Sequence, residues 1–177
     1  MSFVRDWGST PEERAAHYPC DALVAEPHDV LFRAIDVAAP PAVTFRWLCQ
    51  LRVAPYSYDW IDNLGRTSPR TLTPGLEQLA RGQRFMTIFT LASFERDRHV
   101  TLVLDRARGA FGDLAITYAV VPAPGGSRIV AKLVIRRPRG LMRLVSWLLP
   151  AGDWVMMQKQ LRTLRRLAEQ SVTPLAA

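Results

Sequence analysis

Hydrophobic and polar positions alternate along DVLFRAIDVAA, with Leu31, Arg33, Ile35 and Val37 on one phase and Phe32, Ala34 and Asp36 on the other. A period of two predicts a β-strand. Later in the chain QRFMTIFTLASFE, HVTLVLDRA, DLAITYAVVP and SRIVAKLVIRRP follow one another and read the same way. PAPGGS joins the last two as a turn, with Gly125 and Gly126 expected to supply positive φ. Successive strands with short connections pair antiparallel.

The period lengthens to that of a helix in three places. GSTPEER opens a short helix in which Thr10 is the N-cap, Pro11 the first helical residue and Glu13 the reciprocal carboxylate of a capping box; HYPCD ends it. APPAVTFRWLCQL restarts a helix at Pro40-Pro41, with Val43, Trp47, Leu48 and Leu51 in one apolar stripe. Over residues 139–170, Trp154, Met157, Leu161, Leu164 and Ala168 recur at i, i+3, i+7, i+10 and i+14, which predicts a long C-terminal helical region. Pro150 and Gly152 predict a break or kink between RLVSWLL and DWVMMQ. PGLEQLA reads as a helical turn.

Strand, helix, several antiparallel strands and a long helix define the α+β class. One helix cannot fully cover a strongly twisted sheet, so the uncovered part is either a cavity or a set of plugging side chains.

Composition narrows the reading. The 177 residues are 49% hydrophobic and 22% charged, the balance of a globular chain. They are expected to form a single domain, 1–177, with an N-terminal helix and lead-in over 1–29. The N-terminus lacks the basic-then-apolar pattern of a signal peptide, and LVSWLLP falls far short of the ~20 residues that span a bilayer. Cys20 and Cys49 sit in dissimilar contexts and read most simply as reduced thiols. A cytoplasmic protein is the expectation. The net charge is +7 and the isoelectric point about 10.2. The basic residues, nearly all Arg, are scattered, and no nucleic-acid motif or interleaved aromatic set accompanies them. They read as a solvated surface, with no nucleic-acid partner.

Sites of established chemistry are absent from the pattern. There is no G-x-S-x-G elbow, phosphate loop or dinucleotide fingerprint. His17, Cys20 and His28 match no zinc spacing and lack a fourth ligand, so neither metal nor cofactor is expected. The concentrated feature is PYSYDWIDNLGR, where Tyr56, Tyr58 and Trp60 alternate around Asp59. In an extended backbone the three rings share one side. They either plug the end of the core, with Asp59 capping a turn, or meet a ligand with apolar bodies and polar tips.

WGSTPEE, APPAVTFRWLCQL, YSYDWIDNL, LEQLARGQRF and RGLMRLVSWLLPAGDWVMMQKQLRTLRRLAE resemble, in that order, a bacterial subgroup of the START-like helix-grip (SRPBCC) superfamily. That superfamily includes polyketide cyclase/dehydrase-like and lipid-transfer proteins. The resemblance implies a helix-grip fold, a curved antiparallel sheet wrapped around the long C-terminal helix, with an apolar ligand cavity between them. It makes Tyr56, Tyr58 and Trp60 candidates for the mouth of that cavity. Phe89 and Tyr118 on central strands, and Trp154, Met157 and Leu161 on the final helix, are candidates for its wall; each serves equally well as core.

Three functions fit. The leading one is binding or carriage of a small hydrophobic molecule. The second is an enzyme of the cyclase/dehydratase kind, with Tyr58, Asp59 and Tyr118 as catalytic candidates: a buried Asp of raised pKa as base and a Tyr hydroxyl polarising a carbonyl. The third uses PRGLMRLVSWLLP, in which Arg139 and Arg143 stand among apolar residues, for peripheral contact with an anionic membrane. The same segment, packed on a partner, would make a homodimer rather than a monomer.

Overall fold

The alternation of DVLFRAIDV becomes a ten-residue strand, His28–Val37, paired along its whole length with the last strand of the chain, from His28 opposite Arg136 to Val37 opposite Ser127. A computed structural model describes residues 2–26, 28–62, 65–105, 113–137 and 148–172. In order the elements are α1 (Ser2–Arg5), β1 (Asp6–Trp7), α2 (Pro11–Ala15), β2 (His28–Val37), α3 (Pro41–Cys49), α4 (Asp59–Asp62), β3 (Arg84–Phe85), β4 (Phe89–Glu95), β5 (His99–Leu104), β6 (Leu114–Ala123), β7 (Gly126–Arg136) and α5 (Leu148–Val172). Short 3-10 turns lie at Pro19–Ala22 and Gln50–Arg52. The strands form one sheet in the order β1-β2-β7-β6-β5-β4-β3. β1 runs parallel to β2 and every other neighbouring pair is antiparallel.

The inner face of the sheet carries Leu31, Leu91, Leu102, Ile116, Ile129 and Leu133, all buried, and closes on Met157, Leu161, Leu164 and Ala168 of α5. From Met157 onward the helical spacing read from the sequence marks the face that meets the sheet, whereas Trp154, its first position, lies outside that core. Burying a Leu of this kind contributes about 1.5–3 kcal/mol. α3 plugs one end, with Phe45 and Leu48 in the same core and the Trp47 indole donating to Ser171 Oγ of α5 at 2.9 Å. The outer face is covered by the N-terminal segment. Cys20 and Val24 pack on Ala115 and Val134, Tyr18 packs on Phe32, and Lys132 reaches Asp21 at 2.7 Å between the Tyr18 and Phe32 rings. Thr10, Pro11 and Glu13 form the expected capping box. Cys20 and Cys49 are both buried and free.

Several expectations are corrected. QRFMTIFTLASFE is two strands rather than one, because Met86 and Thr87 take left-handed backbone (φ 44 and 68) and fold β3 back on β4. Of the paired glycines, only Gly125 has positive φ, at 77. Gly126 serves close approach instead: a Cβ there would stand 2.3 Å from the Val37 carbonyl oxygen. α5 runs unbroken through Pro150 and Gly152. Pro150 is its third residue, in the first turn, where backbone N–H groups have no intrahelical partner to lose. PGLEQLA turns without becoming a helix. Of the apolar-basic segment, residues 138–147 lie outside the described residues. No helix among the described residues is long and apolar enough to cross a membrane.

Candidate functional site

Between the sheet and α5 lies a cavity of about 530 Å³. Alternation along β6 directs Leu114, Ile116 and Tyr118 into it, and Phe89 of β4 and Leu133 of β7 join them. Asp153, Met156, Met157 and Gln160 share one face of α5 and form the opposite wall. Pro55, Ser57 and Met86 come from connecting segments, while Arg66, Thr87 and Ile88 are solvent-exposed and form the rim.

Beside the apolar wall lies a polar corner made of Asp153 and Gln160 of α5, Tyr118 of β6, Arg33 of β2 and the backbone of Pro55. Gln160 Nε2 donates to the Pro55 carbonyl at 2.7 Å, and Gln160 Oε1 accepts from the Tyr118 hydroxyl, also at 2.7 Å. Tyr118 is fully buried, and burial, reinforced by the negative charge of Asp153, pushes its phenol far above the usual range. It stays neutral. Beside it, Asp153 Oδ2 lies 2.8 Å from Arg33 Nη2. Arg33 is fully buried on the inner phase of β2 and donates through Nη1 to the backbone oxygens of Arg5 and Phe32 at 2.8 and 2.7 Å. Its Nε has no partner among the described residues. Burial pushes the Asp153 carboxyl up to about 6, although Arg33 opposes the shift, and lowers the Arg33 guanidinium against the pull of Asp153. Desolvation exceeds attraction on both sides of the pair.

Of the residues expected to touch a ligand, Phe89, Tyr118 and Met157 line this cavity. Leu161 is fully buried in the core beside it. The aromatic stretch is arranged differently from an extended run. Tyr56 has φ 58, is buried, and meets Trp47 edge-on at 6.2 Å between ring centroids. Tyr58 and Trp154 line a groove of about 400 Å³ with Lys159, Arg162 and Arg166 on α5. Trp60 is 76% exposed. None of the three rings of that stretch lines the main cavity; its Pro55 and Ser57 do. Asp59 begins α4 and accepts from the Ser68 backbone N–H at 2.9 Å and from the Ser68 hydroxyl, so it acts as a turn cap away from Tyr118. Among the described residues no three His, Cys, Asp or Glu side chains gather as a metal site would require.

Arg33, Asp153 and Gln160 escaped the sequence reading. A signal for them exists. Asp153 and Gln160 are seven apart and interrupt the buried face of α5, where Met156, Met157, Leu161 and Leu164 are apolar. Arg33 stands in the inner phase between Leu31 and Ile35. A charge on an apolar face needs a buried counter-charge.

No family model matches the chain, and no curated protein matches it. Solved structures do. Protein MLL2253 from Mesorhizobium loti superposes with a TM-score of 0.54 at 13% identity, over 82% of this chain and 100% of that one. Protein SA2116 of Staphylococcus aureus, of unknown function, gives 0.50 at 11% identity, over 81% and 95%. The di-domain ARO/CYC StfQ from the steffimycin biosynthetic pathway gives 0.49 at 10% identity, over 81% of this chain and 51% of that one. The chain thus has the α+β helix-grip fold, a mostly antiparallel sheet closed on a long C-terminal helix, as the START-like resemblance implies. At these identities the likeness speaks for the fold alone.

Proposed function

We propose that the protein binds a small, largely apolar molecule in the cavity between the sheet and α5. The observation that carries this reading is the cavity itself. Its volume of about 530 Å³ lies inside the ~300–1,000 Å³ typical of small-molecule sites, and its lining has their composition, mostly apolar with a few placed polar groups. Protein cores otherwise pack to near-crystalline density, and each void in them costs stability. Phe89, Ile116, Leu133, Met156 and Met157 supply the contact surface, the two methionines adapting to irregular shapes.

One observation favours a second reading on the same scaffold. A carboxyl that titrates near 6 and a neutral tyrosine share the cavity wall, which suits proton transfer to or from a bound molecule. Asp153, rather than Asp59, is the group for that role.

Titration with the fluorescent apolar probe N-phenyl-1-naphthylamine tests the binding site. The protein should bind it stoichiometrically with a blue-shifted emission, and Met156→Trp, which fills the cavity, should abolish the signal without lowering the melting temperature. Binding that survives this variant unchanged, or no binding by the wild type, contradicts the reading.

A further inference from the structure

Hydrogen-bond direction in the polar corner follows from one group that has no choice. The Pro55 carbonyl can only accept, so the side-chain amide of Gln160 must turn its nitrogen toward it. That turns Gln160 Oε1 toward Tyr118, and an amide oxygen also only accepts, so the Tyr118 hydroxyl is the donor of the 2.7 Å bond between them. The phenol proton is committed to Gln160. What remains on Tyr118 for the cavity is an oxygen lone pair. The amide nitrogen is committed as well, with Met86 Sδ 3.2 Å away in addition to Pro55. The third group of the corner is the Asp153 carboxylate, whose Oδ2 accepts from Arg33 and whose remaining capacity is again for accepting. The buried donors of Arg33 do not line the cavity. Side chains able to donate to a ligand, Arg66 and Thr87, are exposed at the rim, and Ser57 is half-buried with a hydroxyl that can serve either way.

The inner end of the cavity therefore offers acceptors on two neighbouring elements, β6 and α5, and among the described residues its buried donors, the Tyr118 hydroxyl and the Gln160 amide, are already committed to other partners. We propose that it selects an apolar molecule whose inner end carries a hydrogen-bond donor, a hydroxyl or an amine, over the same skeleton ending only in an acceptor. The inference rests on the cavity being a ligand site and deepens that reading by assigning the chemistry of the ligand's inner end. An ether or ketone oxygen placed there would face lone pairs on Tyr118 and negative charge on Asp153 and would lose its own hydration without replacement. A hydroxyl donating to an ionised acceptor forms a bond of the stronger kind.

Three probes of one skeleton test this in mildly alkaline buffer, where Asp153 is ionised: biphenyl, para-phenylphenol and para-methoxybiphenyl, titrated into the whole protein by calorimetry. The phenol should bind about ten-fold more tightly than the methyl ether, the ratio expected of one charge-assisted hydrogen bond, and biphenyl should still bind. Tyr118→Phe and Asp153→Asn should each narrow that ratio; if either variant fails to fold, the wild-type ratio alone decides. A methyl ether that binds as tightly as the phenol while biphenyl binds overturns the donor preference and leaves the ligand site standing. So does a preference that is unchanged in both folded variants. If none of the three binds, the ligand site itself falls and the preference falls with it.

Discussion

Arg33 on β2 and Asp153 in the second turn of α5 are joined 2.8 Å apart across the inner side of the sheet, and burial disfavours the charge of both. The pair ties the start of the long helix to the strand that also carries the N-terminal segment, through the Arg33 bond to the Arg5 carbonyl. It also brings a carboxylate to the wall of an otherwise apolar cavity.

Breaking this pair one side at a time should be costly, and removing both sides should not. Asp153→Ala leaves a fully buried guanidinium with only the weaker influence of the Asp6 charge and should lower stability by about 3–5 kcal/mol. The double variant Arg33→Met/Asp153→Leu should recover to within about 1 kcal/mol of the wild type, because apolar packing replaces two desolvated charges. Urea unfolding of the three proteins measures this directly. A double variant no more stable than Asp153→Ala would show that the pair is a net stabiliser.

The same carboxyl predicts a pH dependence of definite sign. Its pKa rises from the ordinary 3.8 to about 6 on folding, so the folded protein holds the proton more tightly than the unfolded chain. The contribution to stability is complete below the lower value, declines as pH rises toward the upper one, and is constant above it. Among the described residues Arg33 and Tyr118 interact electrostatically with Asp153, and both keep their protonation states across that window. Measured against the uncharged Arg33→Met/Asp153→Leu variant, the wild type should lose up to about 3 kcal/mol across it. A difference that is flat with pH, or that grows, contradicts the assignment.

Tyr56 combines left-handed backbone, burial and a hydroxyl with no partner among the described residues. Burial, with the charge of Asp59 as a lesser cause, pushes its phenol up to about 12. An orphaned buried hydroxyl costs about 1–3 kcal/mol. Tyr56→Phe, which keeps the edge-on contact with Trp47, should be at least as stable as the wild type in thermal unfolding. A clear loss would mean that the hydroxyl is satisfied in solution.

Two glycines should respond differently to alanine. At Gly126 the new methyl carbon would meet the backbone of Val37 and Ala39, at 2.3 and 2.8 Å, and neither can yield without opening the β2–β7 pairing. A loss of about 2 kcal/mol or more is expected. At Gly75 the φ is +80 but nothing lies within 4 Å, so only the left-handed backbone is strained, at about 1–2 kcal/mol. Equal losses at the two sites would argue against the close approach.

The strand alternation, the capping box at Thr10–Glu13 and the stripe on α5 were legible because each follows from a local period or a fixed spacing. Leu161 and Leu164 had to face the sheet wherever the helix lay. The cavity chemistry was not legible in the same way. Arg33 and Asp153 are 120 residues apart, and only the pairing of fold elements brings them together. Pro150 and Gly152 read as a break from local propensity, yet α5 is continuous through both and so carries Asp153 on the same face as Gln160. Of the two readings of the aromatic stretch, the structure places Tyr56 in the core and Asp59 as a turn cap, and it does so for a physical reason: alternation assigns faces only in an extended backbone, and the left-handed Tyr56 and the helical turn at Asp59 remove that condition. Tyr56 packs in the core, Tyr58 lines the outer groove and Trp60 is largely exposed, all three bordering a smaller pocket of about 230 Å³, while the backbone carbonyl at Pro55 orients the polar corner.

Native mass spectrometry of the protein purified from its own host, with organic extraction of what co-purifies, shows whether the cavity between the sheet and α5 holds a ligand. A single largely apolar molecule is expected at near one per chain in the wild type and absent from Met156→Trp. The same molecule retained by that cavity-filled variant, or a wild-type protein that stays empty when offered apolar extracts of the host, would contradict the ligand site.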